Sequence, residues 1–406
     1  MTTRTPSAAP DLAWGLDGLE LTLGPVTTVT FLDEHWGRRP LVVERGEPGR
    51  FDAVLSAADA ERLVCQTAIR TPAFRLVKDG AQLPLSTYTK DIPWRPGSFS
   101  GTALVDRVAE EHAAGATLVL QALHLHWHPA ALYCRSLEAS LGCPAQANAY
   151  WTPSSAQGFD VHHDTHDVFV LQVRGRKHWR LYEPVLELPL KDQRWSADLG
   201  PVGDPVAAVT LEGGDTLYLP RGWPHEAAAA DADSLHITVG LHPPTRLDAM
   251  RAAVEACADD VEFRRTLDAD GLLPDDLLDR LAQRLRPEAV AARAHRRFVD
   301  GRRPVLEDQL AQVRALDELG VCDLVERRPT VIADLEATAA GATLRFEGKE
   351  VRFPAQAVDA VLAAHAALEP FTPAELPGLD DPGRLVLVRR LVREGFLRRL
   401  RPPGGF

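Results

Sequence analysis

Gly158 to Tyr182 reads GFDVHHDTHDVFVLQVRGRKHWRLY and is answered much later by Trp223-Pro224-His225-Glu226. Within it, His162-His163-Asp164 forms a His-x-Asp pair. Side chains alternate between faces of an extended strand, so His162 and Asp164 point the same way. One more histidine from a neighbouring strand completes two imidazoles and a carboxylate on one side of a metal. That set leaves coordination positions open, as in non-haem Fe(II) oxygenases. His225 is the candidate, because it follows the short apolar stretch Gly214 to Pro220 (GDTLYLP) and a Pro-Arg-Gly turn. The pair by itself is a weak signal, since a solvated loop rich in His and Asp has the same composition.

The surroundings add to it. Asp167 to Val173 reads as a strand, Arg174-Gly175 as a turn and His178 to Tyr182 as a returning strand, which predicts a hairpin. That hairpin carries Lys177, a fixed cation suited to the distal carboxylate of a 2-oxoglutarate that chelates iron.

Further motifs are FLDEHWGRRPL at Phe31–Leu41, NAYWTP at Asn148–Pro153, SAQGF at Ser155–Phe159 and YLPRGWPH at Tyr218–His225. On these residues, together with the triad and Lys177, the chain resembles the JmjC-type 2-oxoglutarate oxygenases. Among them it is similar to the ribosomal oxygenases that hydroxylate ribosomal proteins. The resemblance spans residues 25–245 strongly and the rest in general layout. It implies a β-rich α+β fold, with a double-stranded β-helix (cupin or jelly-roll) barrel as the JmjC catalytic domain over 26–245. A helical dimerisation segment over 246–320 and a winged-helix domain over 321–406 follow, and residues 1–25 are expected to be flexible. The resemblance also implies that His162, Asp164 and His225 bind Fe(II), that Lys177 binds the co-substrate 2-oxoglutarate and that O2 is consumed. Asn148 and Tyr150, two apart and so on one strand face, match positions lining the cofactor and substrate pocket.

The substrate is read from the last barrel strand. Relatives acting on histidine in ribosomal proteins carry a serine there, two residues beyond a threonine. Here Ser234 to Gly240 reads SLHITVG, placing Gly240 at the serine position. The missing hydroxyl removes one substrate hydrogen bond, whereas Lys177 matches the histidine-hydroxylating relatives. A histidine or arginine of a ribosomal protein is therefore expected, with a peptide natural-product precursor as the alternative. A cupin metalloenzyme independent of 2-oxoglutarate would not need Lys177, and a non-catalytic scaffold would tolerate loss of the triad.

Composition bounds the remainder. The net charge of -12 argues against a protein that coats nucleic acid and suits a basic protein or peptide partner. The five cysteines include no CxxC pair, so neither a disulfide framework nor a zinc ribbon is indicated. Met1 to Trp14 has no apolar core of signal-peptide length, and no run of about 18 apolar residues predicts a membrane span. A cytoplasmic protein is expected. His124, His126 and His128 alternate, which on a strand would place three imidazoles on one face, but no carboxylate accompanies them. His166 shares parity with His162 and is expected at the pocket mouth. Leu247, Met250 and Val254 recur at helical spacing, as do Leu278, Leu281 and Leu285, which favours a homodimer in light of the resemblance. Arginines between Arg384 and Arg401 make the end of the chain locally basic; a solvated helix face is favoured there over nucleic-acid contact.

Overall fold

The computed structural model describes residues 17–400 except 155–159, 231 and 268. The chain divides into two compact units, Asp11–Pro243 and Pro244–Phe406. The diprolyl pair at the boundary has no amide hydrogen on Pro243 or Pro244 with which to continue a strand ladder.

In the first unit the strands are β1 (Leu41–Val43), β2 (Phe74–Lys78), β3 (Ala81–Gln82), β4 (Thr89–Trp94), β5 (Gly97–Ala103), β6 (Thr117–Leu120), β7 (Ala145–Thr152), β8 (Asp167–Arg174), β9 (Arg176–Leu181), β10 (Ala207–Glu212), β11 (Thr216–Leu219), β12 (His225–Ala229) and β13 (Ser234–Leu241). Eight of them form one sheet in the order β1-β11-β8-β13-β7-β6-β2-β3, and β10-β9-β12 form a second. Every pairing in both sheets is antiparallel.

Period-two alternation gives the large sheet two apolar faces. Phe169, Leu171, Ile237, Val239, Ala147 and Ala149 pack on one side with Leu19, Phe31, Val54 and Tyr133 from the helices. Val168, Val170, Leu217 and Leu219 point the other way and pack with Trp179, Leu181 and Leu211 of the small sheet. The space between the sheets is where the site forms.

Several local signals act as the sequence reads. Thr27 caps the helix Thr28–Glu34, and Gly37 takes a left-handed conformation beyond its end before β1. Ser56 and Asp59 form a capping box on the helix Ala57–Cys65.

Three expectations are corrected. The predicted hairpin is not one: β8 pairs with β11 and β13, whereas β9 pairs with β10 and β12. Gly175, at φ +69°, turns the chain from one sheet into the other, and a Cβ there would lie 1.9 Å from the Asp233 carbonyl oxygen. His124 and His126 sit in a short helix, Leu123–His126, and His128 begins the next, so the three do not share a strand face. Within the segment expected to be flexible over 1–25, Gly18–Leu23 is instead helical, capped by Asp17, with Leu19, Leu21 and Leu23 buried. Residues 1–16 lie outside the described part, as does the Ser155–Phe159 motif.

The second unit opens with the helices Arg246–Glu255, Asp275–Arg284 and Pro287–Asp300, which leave Leu247, Met250, Val254 and Leu278 exposed. A three-stranded antiparallel sheet follows over Ala333–Thr338, Gly341–Phe346 and Lys349–Pro354. With the helices Val358–Ala366 and Asp381–Glu394 it encloses a core of Leu344, Phe346, Val361, Val388 and Leu391. Among the described residues no helix is long and apolar enough to cross a membrane.

The corner at Gly175 gives a direct test of this two-sheet layout. Gly175→Ala combines an unfavourable left-handed backbone with a collision against backbone, so it is expected to cost at least about 2 kcal/mol of stability. Urea unfolding measures this, and an unchanged midpoint would contradict the crossing of sheets at this glycine.

Candidate metal centre

The three residues singled out around the His-x-Asp pair come together. Ligand atoms of His162, Asp164 and His225 all lie within 4.8 Å of one another. The reason differs from simple strand parity. His162 belongs to no strand; it forms an isolated antiparallel bridge with His225 at the start of β12. His225 N–H donates to the His162 carbonyl at 2.8 Å, and His162 N–H donates back at 3.2 Å. This holds the ring centroids 4.6 Å apart. The Gly222 amide donates to the Asp164 carbonyl at 3.0 Å, fixing the third donor against the turn that precedes His225.

Hydrogen bonds also orient both imidazoles. His162 Nδ1 lies 2.7 Å from the Asp160 carbonyl oxygen, and His225 Nδ1 lies 3.0 Å from that of Trp223. A carbonyl accepts only, so each Nδ1 carries the proton and each Nε2 keeps a lone pair for a metal. His225 Nε2 lies 4.0 Å from Asp164 Oδ2. Burial, with His162 beside it, lowers the His225 pKa to about 4, so the ring is neutral at neutral pH, as a ligand must be.

The turn before His225 is braced from a distance. Tyr218 OH donates to Asp167 Oδ2 at 2.8 Å, and the Arg221 amide donates to Asp167 Oδ1 at 2.9 Å. Gly37 N–H in turn donates to the Tyr218 hydroxyl at 2.8 Å, while Phe31 packs edge-on against the Tyr218 ring at 4.8 Å. The Phe31–Leu41 and Tyr218–His225 motifs are thus two halves of one support.

The triad opens into a cavity of about 290 Å³ between the sheets. Its wall includes Lys177, Trp179 and Ala227 from the small sheet. Val168, Val170, Tyr150, His236, Thr238 and Arg75 complete it from the large one. Lys177 is 4% exposed, and its Nζ donates to Thr152 Oγ1 at 3.3 Å. Among the described residues no carboxylate pairs with it. Burial alone lowers its pKa to about 7. Buried ammonium groups are costly unless an anion answers them. Lys177 is four residues along β9 from Leu181, the residue that pairs with His225. That offset is about 13 Å of strand, so the cation and the metal donors stand at opposite ends.

Tyr150 lines the cavity as read from the sequence, its hydroxyl hydrogen-bonded to Arg75 and its pKa raised to about 12 by burial, then by Asp164. Asn148 and Gly240 are not on the cavity wall. Asn148 Oδ1 accepts from the Ala122 amide at 2.9 Å, fixing a left-handed turn at Ala122. A Cβ on Gly240 would meet the His166 ring at 2.6 Å, so an imidazole, not open pocket, fills the space of the absent side chain. His166 itself stacks on His242 at 4.8 Å. Trp151 donates to Asp233 and Trp223 supplies the carbonyl behind His225, so Trp179 is the tryptophan on the wall. Sequence reading missed Arg75 and His236. Only the parity of His236 with Thr238 pointed to it, and nothing local singles out Arg75.

Residues 122–249 match the JmjC domain family. The chain carries a JmjC domain. Its cupin-type fold is shared along nearly the whole chain with the ribosomal oxygenase YcfD of Escherichia coli (TM-score 0.56, 20% identity, 92% of this chain and 98% of that one). A YcfD structure in complex with cobalt and 2-oxoglutarate superposes similarly, with TM-score 0.52 at 18% identity over 93% of this chain and 99% of that one. In sequence, ribosomal oxygenase 1 of Gallus gallus is 34% identical over 62% of this chain and 42% of its own length. The bifunctional lysine-specific demethylase and histidyl-hydroxylase NO66 of Drosophila persimilis is 28% identical over 79% of this chain and 46% of its own length. The chain thus spans less than half the length of these two curated relatives.

Removing a ligand should cost more metal affinity than the roughly 10–100-fold typical of outer-shell changes. His162→Ala, Asp164→Ala and His225→Ala are each expected to abolish the visible absorption of bound Co(II) while the protein stays folded. His124→Ala should retain it. The reverse pattern would mean that the metal lies elsewhere.

Proposed function

We propose that this protein is an Fe(II)- and 2-oxoglutarate-dependent oxygenase that hydroxylates a side chain of a ribosomal protein, a histidine or an arginine. The observation that carries this reading is one cavity with an oriented His-Asp-His set at one end and a buried ammonium at the other. Two neutral imidazoles and one carboxylate suit a ferrous ion and leave positions for a chelating co-substrate and dioxygen. Bound there, iron and 2-oxoglutarate supply oxidising power for a C–H bond, with decarboxylation to succinate and transfer of one oxygen atom.

The chain's own residues position and shield. His162, Asp164 and His225 hold the metal. Lys177 binds the distal carboxylate and exchanges its desolvation penalty for a charge-assisted hydrogen bond. Val168, Val170 and Trp179 keep water from this anion and strengthen that contact. Tyr150, with Arg75 on its hydroxyl, orients the target side chain.

The relatives' names support the substrate class, and the NO66 name favours histidine. Gly240 is neutral on this choice, because His166 occupies the neighbouring space. A reading without 2-oxoglutarate leaves the buried Lys177 unexplained. The exposed apolar residues of the helices Arg246–Glu255 and Asp275–Arg284 support a homodimer. The helix and sheet order after residue 321 supports a winged-helix reading of that part.

The test is incubation with Fe(II), 2-oxoglutarate, dioxygen and intact ribosomal proteins. One histidine should gain one oxygen atom in step with succinate release, and Asp164→Ala should yield neither. Gain on an arginine would keep the chemistry and change the target, whereas no succinate above an iron-free control would overturn the proposal.

Affinity for 2-oxoglutarate should also depend on pH through Lys177. Its pKa near 7 means that the amine is charged below pH 7 and loses its proton above it. The dianion prefers the charged form, so affinity should be level below pH 7 and fall above it, approaching about tenfold per pH unit. Lys177→Met should flatten that slope and weaken binding roughly ten- to a hundredfold. Calorimetric titration between about pH 6 and about pH 9 checks this; a flat wild-type profile would remove the role from Lys177.

A further inference from the structure

His236 is the buried group in the cavity that the metal site does not use. It lies on β13 between Leu235 and Ile237, which point into the core on the far side of the sheet, so its ring faces the cavity. The ring is 3% exposed, lies parallel to the Tyr150 ring at 5.1 Å and meets Trp179 edge-on at 5.7 Å. These two rings hold it in one orientation.

Its hydrogen bonding sets it apart. His163, His178 and His225 each have a ring nitrogen bonded to an oxygen of the protein. His236 has no such bond among the described residues, and its Nδ1 is enclosed with no partner. Burial, and then the Lys177 charge, keep the ring neutral. A neutral imidazole has one N–H and one lone pair. Among the described residues no protein acceptor is bonded to either ring nitrogen, so the ring's N–H has no protein partner. A buried ring whose N–H nothing in the protein accepts leaves that donor for a group entering the cavity it lines.

Strand register gives the place of that ligand. Lys177 Nζ bonds to Thr152, which pairs with Ser234. The next inward-facing pair along β7 and β13 is Tyr150 with His236. Farther along β13, Thr238 and then Gly240 lead away, Gly240 lying against His166 beside the metal loop. His236 therefore stands at the ammonium end of the cavity.

We propose that the His236 imidazole N–H is a second donor to the distal carboxylate of the 2-oxo acid, beside Lys177. This rests on the 2-oxoglutarate reading above. A carboxylate has two oxygens, so one accepts from the ammonium and the other from the imidazole. Lys177 supplies charge, which a flexible chain can deliver over a range of positions. His236, clamped between rings, supplies direction and selects co-substrates whose second carboxylate reaches this depth. Its role is to bind and position, and no proton moves through it.

The test uses full-length protein loaded with Mn(II), with dissociation constants from calorimetry for 2-oxoglutarate and for pyruvate, which lacks the distal carboxylate. His236→Phe keeps the flat ring on Tyr150 and removes the N–H. It should weaken 2-oxoglutarate binding roughly ten- to a hundredfold and leave Mn(II) and pyruvate binding unchanged. His236→Gln, which retains an N–H donor, should recover most of the loss. In unmodified protein loaded with Zn(II), 2-oxoglutarate but not pyruvate should shift the buried imidazole N–H proton resonance, a readout independent of whether the variants fold. Equal weakening toward both acids, an unchanged 2-oxoglutarate constant in His236→Phe, or an N–H resonance indifferent to 2-oxoglutarate would overturn the assignment. Failure of the wild type to bind 2-oxoglutarate would instead overturn the proposed function itself, before any variant is compared.

Discussion

Two backbone hydrogen bonds between His162 and His225 hold this site together. They join a segment that lies outside any strand to the first residue of β12. Without them the His-x-Asp pair would be a loop and His225 a buried histidine elsewhere. With them, two lone pairs and a carboxylate converge within 4.8 Å. Much of the first unit serves to keep that bridge in register. Asp167 ties β8 to Tyr218 and Arg221, and Tyr218 ties the turn to Gly37 at the start of the chain. A metal site needs its donors fixed more closely than loops fix themselves, and here distant segments supply the constraint.

The second constraint is electrostatic. An ammonium at 4% exposure with one hydroxyl partner costs the folded protein stability. A fold keeps such a group when a ligand answers it. His236 tells the same story with a neutral donor. The resting structure holds the charge and the direction that an anion would otherwise have to organise, and preorganised sites of this kind bind with less loss.

Part of this was legible in the chain alone. Spacing made His162, Asp164 and His225 candidates, and the need for a cation opposite a distal carboxylate singled out Lys177 from the neighbouring Arg174, Arg176 and Arg180. The helix starts at Thr27 and Ser56 are set by capping, which is local chemistry. The failures share a cause. The predicted hairpin failed because a turn at Gly175 looks the same whether the chain folds back or crosses to another sheet. The histidine row at 124–128 alternates like a strand, yet the backbone there is helical. Arg75, Tyr150 and His236 share one row across the sheet only through β6, since Arg75 pairs with Val119, Val119 with Tyr150 and Tyr150 with His236. No window of sequence contains that row. Gly240 was read as a pocket position lacking its hydroxyl, but it is not on the cavity wall and the His166 ring fills the space beside it.

The central claim is that one small molecule spans the cavity, chelating a metal held by the triad while its far carboxylate rests at Lys177. The most direct measurement is the visible spectrum of the anaerobic Fe(II) protein titrated with 2-oxoglutarate. Chelation through the 2-oxo acid gives a charge-transfer band, which should rise to saturation in the wild type, be absent in His225→Ala and need far more 2-oxoglutarate in Lys177→Met. An iron-loaded wild type that shows no band at any concentration of 2-oxoglutarate would contradict the account.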